Sequence, residues 1–445
     1  MTEILLIEPP SRKAFHCRPP VALLYLAGFL QKNKIKVKIL DSTKDFSLKK
    51  IKKINPKYIG ITCYTPEYKE VIDLAKELKK ILPKTKIIVG GTHPTLYPQE
   101  FPKKYFNKVI QGDGELQLLN YIKKNKNNKL SSFIPAYNLI NMAYYTHANP
   151  FAIRGIYLRS MYIVATRGCP SECTFCVAKK LRQYTGCLQT RTAKEIIKEI
   201  KLLRKKYAID GFYFIDDLFT LNKQNVLEFC RLLQKSKLKL LWGCNAKVST
   251  LNEEMIKNMK KSGCIQIDFG VERGSDKALR LCKKNISIKQ IKEIFQLCHK
   301  YKIRTFANFL VNLPKETKKD LNDIIKLTEE IKPEIVSCNI FTAYPGTEIY
   351  DNSPYKYTKD EYIMLYNGSD YIKKYPHKFK FCKHNIDLIP WANKYNKKYN
   401  KLSTSIKLHL SWTYIKTFLY SKNKLDYLIQ IPKLINEFIR LKIQT

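Results

Sequence analysis

The stretch "MYIVATRGCPSECTFC", Met161 to Cys176, runs an apolar strand signal straight into three cysteines, Cys169, Cys173 and Cys176. A closed tetrahedral zinc site takes four ligands, and this loop offers no histidine and no fourth cysteine to complete one. Iron–sulfur clusters are held by Cys thiolates, and a cluster on three ligands would leave one iron open for chemistry. Taken alone, the triplet would also suit zinc or a structural cysteine group.

The surrounding pattern weighs against a structural metal. After the cysteines come "GFYFIDD", "LWGCNAKV", "IQIDFGVE", "RTFANFLVNLP" and "VSCNIFTAYPG", separated by helical segments such as "TAKEIIKEIKLLRKKY" and "NEEMIKNMKKSG". Six such strand units predict an open, partial α/β barrel whose chemistry sits on the loops at the strand C-termini. The cysteines follow directly on the first of those strands. Ahead of them, "EILLIEPP", "KVKILD", "YIGITCYT" and "KIIVGG" alternate with "PVALLYLAGFLQKN" and "YKEVIDLAKELKKIL". That is the signature of a parallel, doubly wound sheet, with its ligand beyond the carboxyl ends of the strands. The expected organisation is a Rossmann-like α/β domain over residues 1–125, a polar linker over 126–158, the partial (β/α)6 barrel over 159–350 and a helical, basic C-terminal extension over 351–445.

Composition narrows the classes. With 445 residues, 44% of them apolar, the chain can fill two cores. Its 13 cysteines are odd in number and mostly scattered, and an acidic residue stands in the N-terminal "MTEILLIEPP" where a secretory signal carries basic ones. A reduced, cytoplasmic protein is expected. No uncharged apolar run approaches the ~18 residues of a membrane span. The formal charge of +43, from 81 Lys and Arg against 38 Asp and Glu, draws the chain toward anions. The basic residues are diffuse, as an AT-rich genome alone would produce, where a nucleic-acid footprint is clustered. In the extension, Leu408, Trp412, Ile415 and Leu419, then Leu434, Phe438 and Leu441, recur at helical spacing beside lysines. They would either pack on the barrel or touch an anionic membrane surface.

The C-x3-C-x2-C spacing, with Phe175 before the third cysteine, resembles the radical S-adenosylmethionine (SAM) superfamily. The resemblance implies that Cys169, Cys173 and Cys176 hold three irons of a 4Fe-4S cluster and that SAM chelates the fourth. Reductive cleavage of SAM would then give a 5′-deoxyadenosyl radical able to activate an unreactive C–H bond. SAM contacts are implied at Phe175, at Asp216 and Asp217 of "FIDDLFTLN", at Glu272 of "GVERGS", at Leu313 of "NLPKET" and at Tyr344 of "AYPGT". "NLPKET" departs from the family's Gly-Leu-Pro-Gly-Glu-Thr at Asn312 and Lys315, so a less permissive backbone is expected there.

The leading domain resembles the cobalamin (B12)-binding domain found ahead of the barrel in one radical SAM subfamily, which includes anaerobic porphyrin ring cyclases and cobalamin-dependent methylases. The implied cobalamin contacts are Pro10 of "EPPSRKAFHCRPP", Thr62 and Tyr64 of "GITCYT", Gly90, Gly91 and His93 of "VGGTHPT", and Gly112 and Glu115 of "GDGE". The Asp-x-His-x-x-Gly motif that lends cobalt a histidine is absent, and "SRKAFHCRPP", with His16 and Cys17, stands in its place. The expectation is a cobalamin-dependent radical SAM enzyme, a C-methylase first and an oxidative cyclase or rearrangement enzyme second. Its partners would be a small-molecule or lipid-like substrate and an electron donor such as flavodoxin or ferredoxin, with no nucleic acid. A basic nucleic-acid-binding protein with a structural metal is the reading from another class.

Overall fold

The structure, a computed structural model, describes residues 2–9, 18–41, 46–125, 129, 131–149, 152–185, 189–366, 372–375, 378, 380–400, 409–429 and 432. Pro10, His16 and Cys17 therefore lie outside the described residues, as do Leu408, Leu434, Phe438 and Leu441 of the C-terminal pattern. The contacts divide the chain into two compact units, residues 1–142, 174–188 and 342–379 in one and 143–173, 189–341 and 380–445 in the other. Neither is contiguous, in contrast to the ranges expected from the sequence.

In the first unit, strands β1 (Ile4–Glu8), β2 (Val37–Asp41), β3 (Tyr58–Thr62), β4 (Lys86–Gly90) and β5 (Lys108–Val109) form one parallel sheet in the order β2-β1-β3-β4-β5. Every residue of β1 and β3 is buried. Helices on both faces leave a parallel strand no wet side, which is why "ILLIE" and "YIGIT" read as nearly unbroken apolar runs. Ile4, Leu6, Phe29, Leu30, Tyr58, Ile88 and Leu119 share one core on a face of this sheet. The strand order reverses between β1 and β3, and a crevice at such a switch point, beyond the carboxyl ends, is where doubly wound sheets take ligands.

In the second unit, β6 (Ala148–Asn149) pairs antiparallel with β7 (Leu158–Ile163), so part of the expected linker joins the barrel sheet. A short ribbon, β8 (Thr166–Arg167) with β9 (Gln189–Thr190), follows β7. Five more parallel strands complete the sheet, β10 (Gly211–Phe214), β11 (Leu241–Ala246), β12 (Cys264–Glu272), β13 (Arg304–Val311) and β14 (Ile335–Ile340), in the order β14-β13-β12-β11-β10-β7-β6. These are the six parallel barrel strands that the alternation predicts. The helices between them start where side chains can close the first turn. Thr192 and Glu195 make a reciprocal capping box, as do Ser287 and Gln290. Phe212, Phe214, Phe219 and Phe229 pack around Trp242 on the helix side of β10 and β11.

The extension attaches to this unit at two places. Helix Leu388–Tyr399 lies along β14, where Asn396 and Asn400 hydrogen-bond the backbone of Cys338 and Val336. Helix Trp412–Tyr420 and the turn after it dock where the chain enters β7 and β10. Tyr414 donates to the Tyr157 carbonyl at 2.6 Å, Ser421 and Tyr427 donate to Asp210 at 2.6 and 2.7 Å, and Asp426 pairs with Arg159. This is the end of the barrel strands opposite the cysteine loop. Leu410, Trp412, Leu419, Leu425, Leu428 and Ile429 remain exposed.

Candidate functional site

In the second unit, the cysteine loop begins where β7 ends, and the expected aspartates hold its base. Asp216, directly beyond β10, is buried and accepts from the backbone N–H groups of Ala165 and Thr166 at 2.8 Å each and from Thr166 Oγ1 at 3.1 Å. Burial pushes its carboxyl up to about 7 although these donors favour the charged form. Both of its oxygens accept hydrogen bonds from the loop, and its visible work is to shape that loop. Asp217 accepts from Gly168 N at 3.1 Å and is also pushed upward by burial. Cys169 is half-buried and Cys173 buried.

Two lysines border that loop, and neither stands out in the sequence. Lys247, the first residue past β11, donates to Ser171 Oγ at 3.1 Å, between Cys169 and Cys173 in the chain. Lys284 pairs with Glu272 Oε1 at 3.0 Å. Burial works against the Lys284 charge, but Glu272 and Cys173 outweigh it and hold the ammonium above its ordinary value. Burial raises the Cys173 thiol, and Lys284 and Lys247 act in the opposite direction. Glu272 itself sits at φ +66, a costly conformation for a glutamate and the kind of strain that gathers at functional sites. A Cβ at Gly270 would run into Glu272 Oε1 and come within 2.8 Å of Lys284 Nζ, so a side chain there would displace the pair.

The turn "NLPKET" overturns one expectation. Asn312 lies at φ +71 and Lys315 at φ +64, so the left-handed backbone is kept without glycine. Asn312 also binds on both sides, its Nδ2 donating to the Phe341 carbonyl at 3.0 Å and its Oδ1 accepting from Phe381 N at 2.9 Å. Leu313, expected near adenosine, is buried. Glu316 is buried against Arg273 and accepts from Asn312 N at 3.0 Å, while His384 Nε2 approaches it at 3.1 Å. Glu316, Cys382 and His384 lie close enough to share a metal ion. The Arg273 guanidinium already neutralises that carboxylate and would repel a cation, so the group reads as a buried ion-pair network.

In the first unit, Cys176 is exposed, and its sulfur lies 3.5 Å from Ala178 N. Phe175 is half-buried, and Tyr344 donates to the Leu365 carbonyl at 2.6 Å. At the sheet's carboxyl edge, Thr62 ends β3, and Gly90 ends β4 with room for a Cβ, 3.7 Å from Ile110. Gly91, at φ +109, has a different reason to be glycine: a Cβ there would lie 2.8 Å from the Cys63 carbonyl. A Cβ on Gly112, at φ +79, would run into the Tyr184 backbone. These two glycines serve the chain's own packing. Tyr64 N is held by Glu67 at 2.9 Å, and Glu115 is buried in the first turn of helix Gly114–Lys123. His93 is fully buried, with Nδ1 3.1 Å from Thr65 Oγ1, Nε2 3.2 Å from Glu100, and the rings of Tyr68, Phe101 and Tyr362 around it. Both ring nitrogens of His93 thus have partners within the domain.

The donor set suits a cluster: three thiols on one loop, with no histidine among them to favour zinc. Thr62 and Gly90 end β3 and β4 at the sheet's carboxyl edge, the side on which doubly wound sheets take ligands. Comparison with known proteins agrees. Residues 163–328 match the Radical SAM superfamily and residues 12–121 the B12 binding domain. An uncharacterized methyltransferase of Pyrococcus horikoshii is 27% identical over 390 residues, covering 78% of this chain and 82% of that one. The anaerobic magnesium-protoporphyrin IX monomethyl ester cyclase of Rubrivivax gelatinosus is 27% identical over 371 residues, covering 75% of this chain and 66% of the relative. The fold resembles that of TsrM, a radical SAM methyltransferase from Kitasatospora setae solved with cobalamin and a [4Fe-4S] cluster bound, with a TM-score of 0.63 at 15% identity over 78% of this chain and 77% of that one. The chain thus carries a radical SAM domain behind a B12-binding domain.

Proposed function

We propose that the chain is a C-methylase of a small molecule. The observation that carries this reading is the presence, in one chain, of a cysteine loop on the first strand of a radical SAM barrel and of a B12-binding sheet. When bound, the cluster and SAM supply a carbon-centred radical, and cobalamin supplies a methyl carrier. The chain's own residues position and shield. Cys169, Cys173 and Cys176 would hold the cluster, Asp216 and Asp217 fix the loop that bears two of them, and Glu272, braced by Lys284, would meet SAM. Asp217, Phe175, Leu313 and Tyr344 remain proposed SAM contacts, and Thr62, Tyr64, Gly90 and Glu115 proposed cobalamin contacts. An electron donor such as flavodoxin or ferredoxin is required.

A polar substrate fits the barrel better than a lipid. Phe212 and Phe214 face the helices, so Tyr213 between them faces inward, where it donates to Asn245 at 2.9 Å. Gln266 donates to Asp268 at 2.7 Å nearby on β12. The exposed apolar residues of the tail lie at the other end of the strands, with Lys416, Lys422 and Lys424 among them. An anionic bilayer surface would complement them, and no helix among the described residues is long and apolar enough to cross a membrane. Flotation with phosphatidylglycerol vesicles tests this, and equal flotation after Trp412→Glu and Leu419→Glu contradicts it.

The cyclase relative favours the second reading, radical oxidation or ring closure with the same cofactors. SAM labelled in its methyl group separates them: the methylase incorporates label into product alongside 5′-deoxyadenosine. Product without label sinks the methylase reading.

A further inference from the structure

The two lysines at the cysteine loop are wired differently. Lys284 is neutralised by Glu272. Lys247 has no carboxylate within ion-pair distance among the described residues, and its hydrogen-bond partner there is the neutral hydroxyl of Ser171. A partly buried ammonium is costly without an anion to face. Ser171 stands two positions from Cys169 and two from Cys173, so this bond pins the charge over the segment that would carry two cluster ligands. Burial lowers the Lys247 value, while Cys173 and Cys169 sustain its charge. The anion that this lysine lacks is the one that three thiolates and a cluster would create.

We propose that Lys247 is a positioning residue for electron entry: held by Ser171, it supplies the uncompensated positive charge that favours the reduced cluster. The inference rests on the cluster assignment above. A three-thiolate cluster gains one negative charge when it accepts one electron from a low-potential donor. A nearby ammonium stabilises that form more than the oxidised one, and more strongly where water is scarce. The Lys284–Glu272 pair is nearly neutral at a distance and contributes much less. Lys247 therefore sets the potential, and Lys284 sets the conformation of Glu272.

The test is a dithionite titration, without SAM, of the reconstituted full-length protein, following the reduced cluster by electron paramagnetic resonance. Lys247→Met should lower the reduced-to-oxidised ratio at a fixed potential about tenfold, a shift of about 59 mV to more negative potential for one electron. Lys247→Arg should restore it, and Ser171→Ala should move it the same way as Lys247→Met, by less. SAM affinity, read by isothermal titration, should change little in Lys247→Met. An unmoved potential in Lys247→Met, or a shift equally large in Lys247→Arg, overturns the proposal. So does an unmoved potential with weakened SAM binding, which would make Lys247 a ligand of the SAM carboxylate. Iron and sulfide are counted first. A wild-type chain that assembles no cluster overturns the underlying assignment as well, whereas an assembled cluster with an unmoved potential overturns only the role of Lys247.

Discussion

A left-handed lysine is an expensive residue, and Lys315 at φ +64 is one. Its neighbour Asn312 shares the conformation but has compensation, two side-chain hydrogen bonds that tie the end of β13 to Phe341 and Phe381. The two positions should therefore answer oppositely to glycine. Lys315→Gly should stabilise the fold by about 0.5–1 kcal/mol, and Asn312→Gly should destabilise it by about 1–3 kcal/mol, measured by urea unfolding. A pH dependence belongs at this scale too. Asp216 rises from 3.8 to about 7 on folding, so the folded chain holds a proton that the unfolded chain releases. Its favourable contribution is complete below about pH 4 and is lost as pH rises through 7, by up to about 1.4 kcal/mol per unit. Asp216→Asn should remove that slope from a stability-against-pH curve, and an unchanged slope contradicts the assignment. The cysteines were legible as residues because their spacing is local. Lys247 and Lys284 were not, since one comes from just past β11 and the other from the segment after helix Asp276–Leu281, and no sequence interval marks their approach to the loop.

An exposed edge strand invites pairing with other chains, and β14 is covered by a helix whose asparagines imitate a strand. Four residues of helix rise about 6.0 Å, close to the roughly 6.6 Å that two residues of strand cover. Asn396 and Asn400 can therefore each take the N–H and the C=O of one residue, Cys338 and Val336. Replacing both with Ala removes four bonds and should cost about 2–4 kcal/mol, with association at high concentration visible by light scattering. Stability within experimental error of wild type would show the cover to be incidental. The strands themselves were legible, since alternation of apolar runs with amphipathic helices set all six parallel barrel strands. The asparagine cover was not, because an asparagine on a helix face carries no mark of what it faces.

The expected order of leading sheet, barrel and extension holds along the sequence, but the units that contacts define interleave it. Residues 174–188 and 342–379 belong with the leading sheet, and 380–445 with the barrel. A boundary drawn from composition cannot see this, because segments that return to an earlier domain look like loops where they leave. Tyr362 shows the cause: its ring packs on His93 and Tyr68 and its hydroxyl lies 3.3 Å from Glu100, so residues beyond the barrel help to bury the leading domain's histidine. That burial leaves His93 fully enclosed.

The central claim is that three cysteines and SAM together make the reactive centre. The direct measurement is anaerobic reconstitution of the wild-type chain and of a variant with Cys169, Cys173 and Cys176 all replaced by Ala. Iron, sulfide and 5′-deoxyadenosine formed with dithionite and SAM are then quantified. The wild-type chain should hold about four irons and four sulfides and cleave SAM. The variant should lose all three signals while still taking up cobalamin. SAM cleavage that survives in the variant, or a wild-type chain that binds zinc without sulfide, would contradict the account.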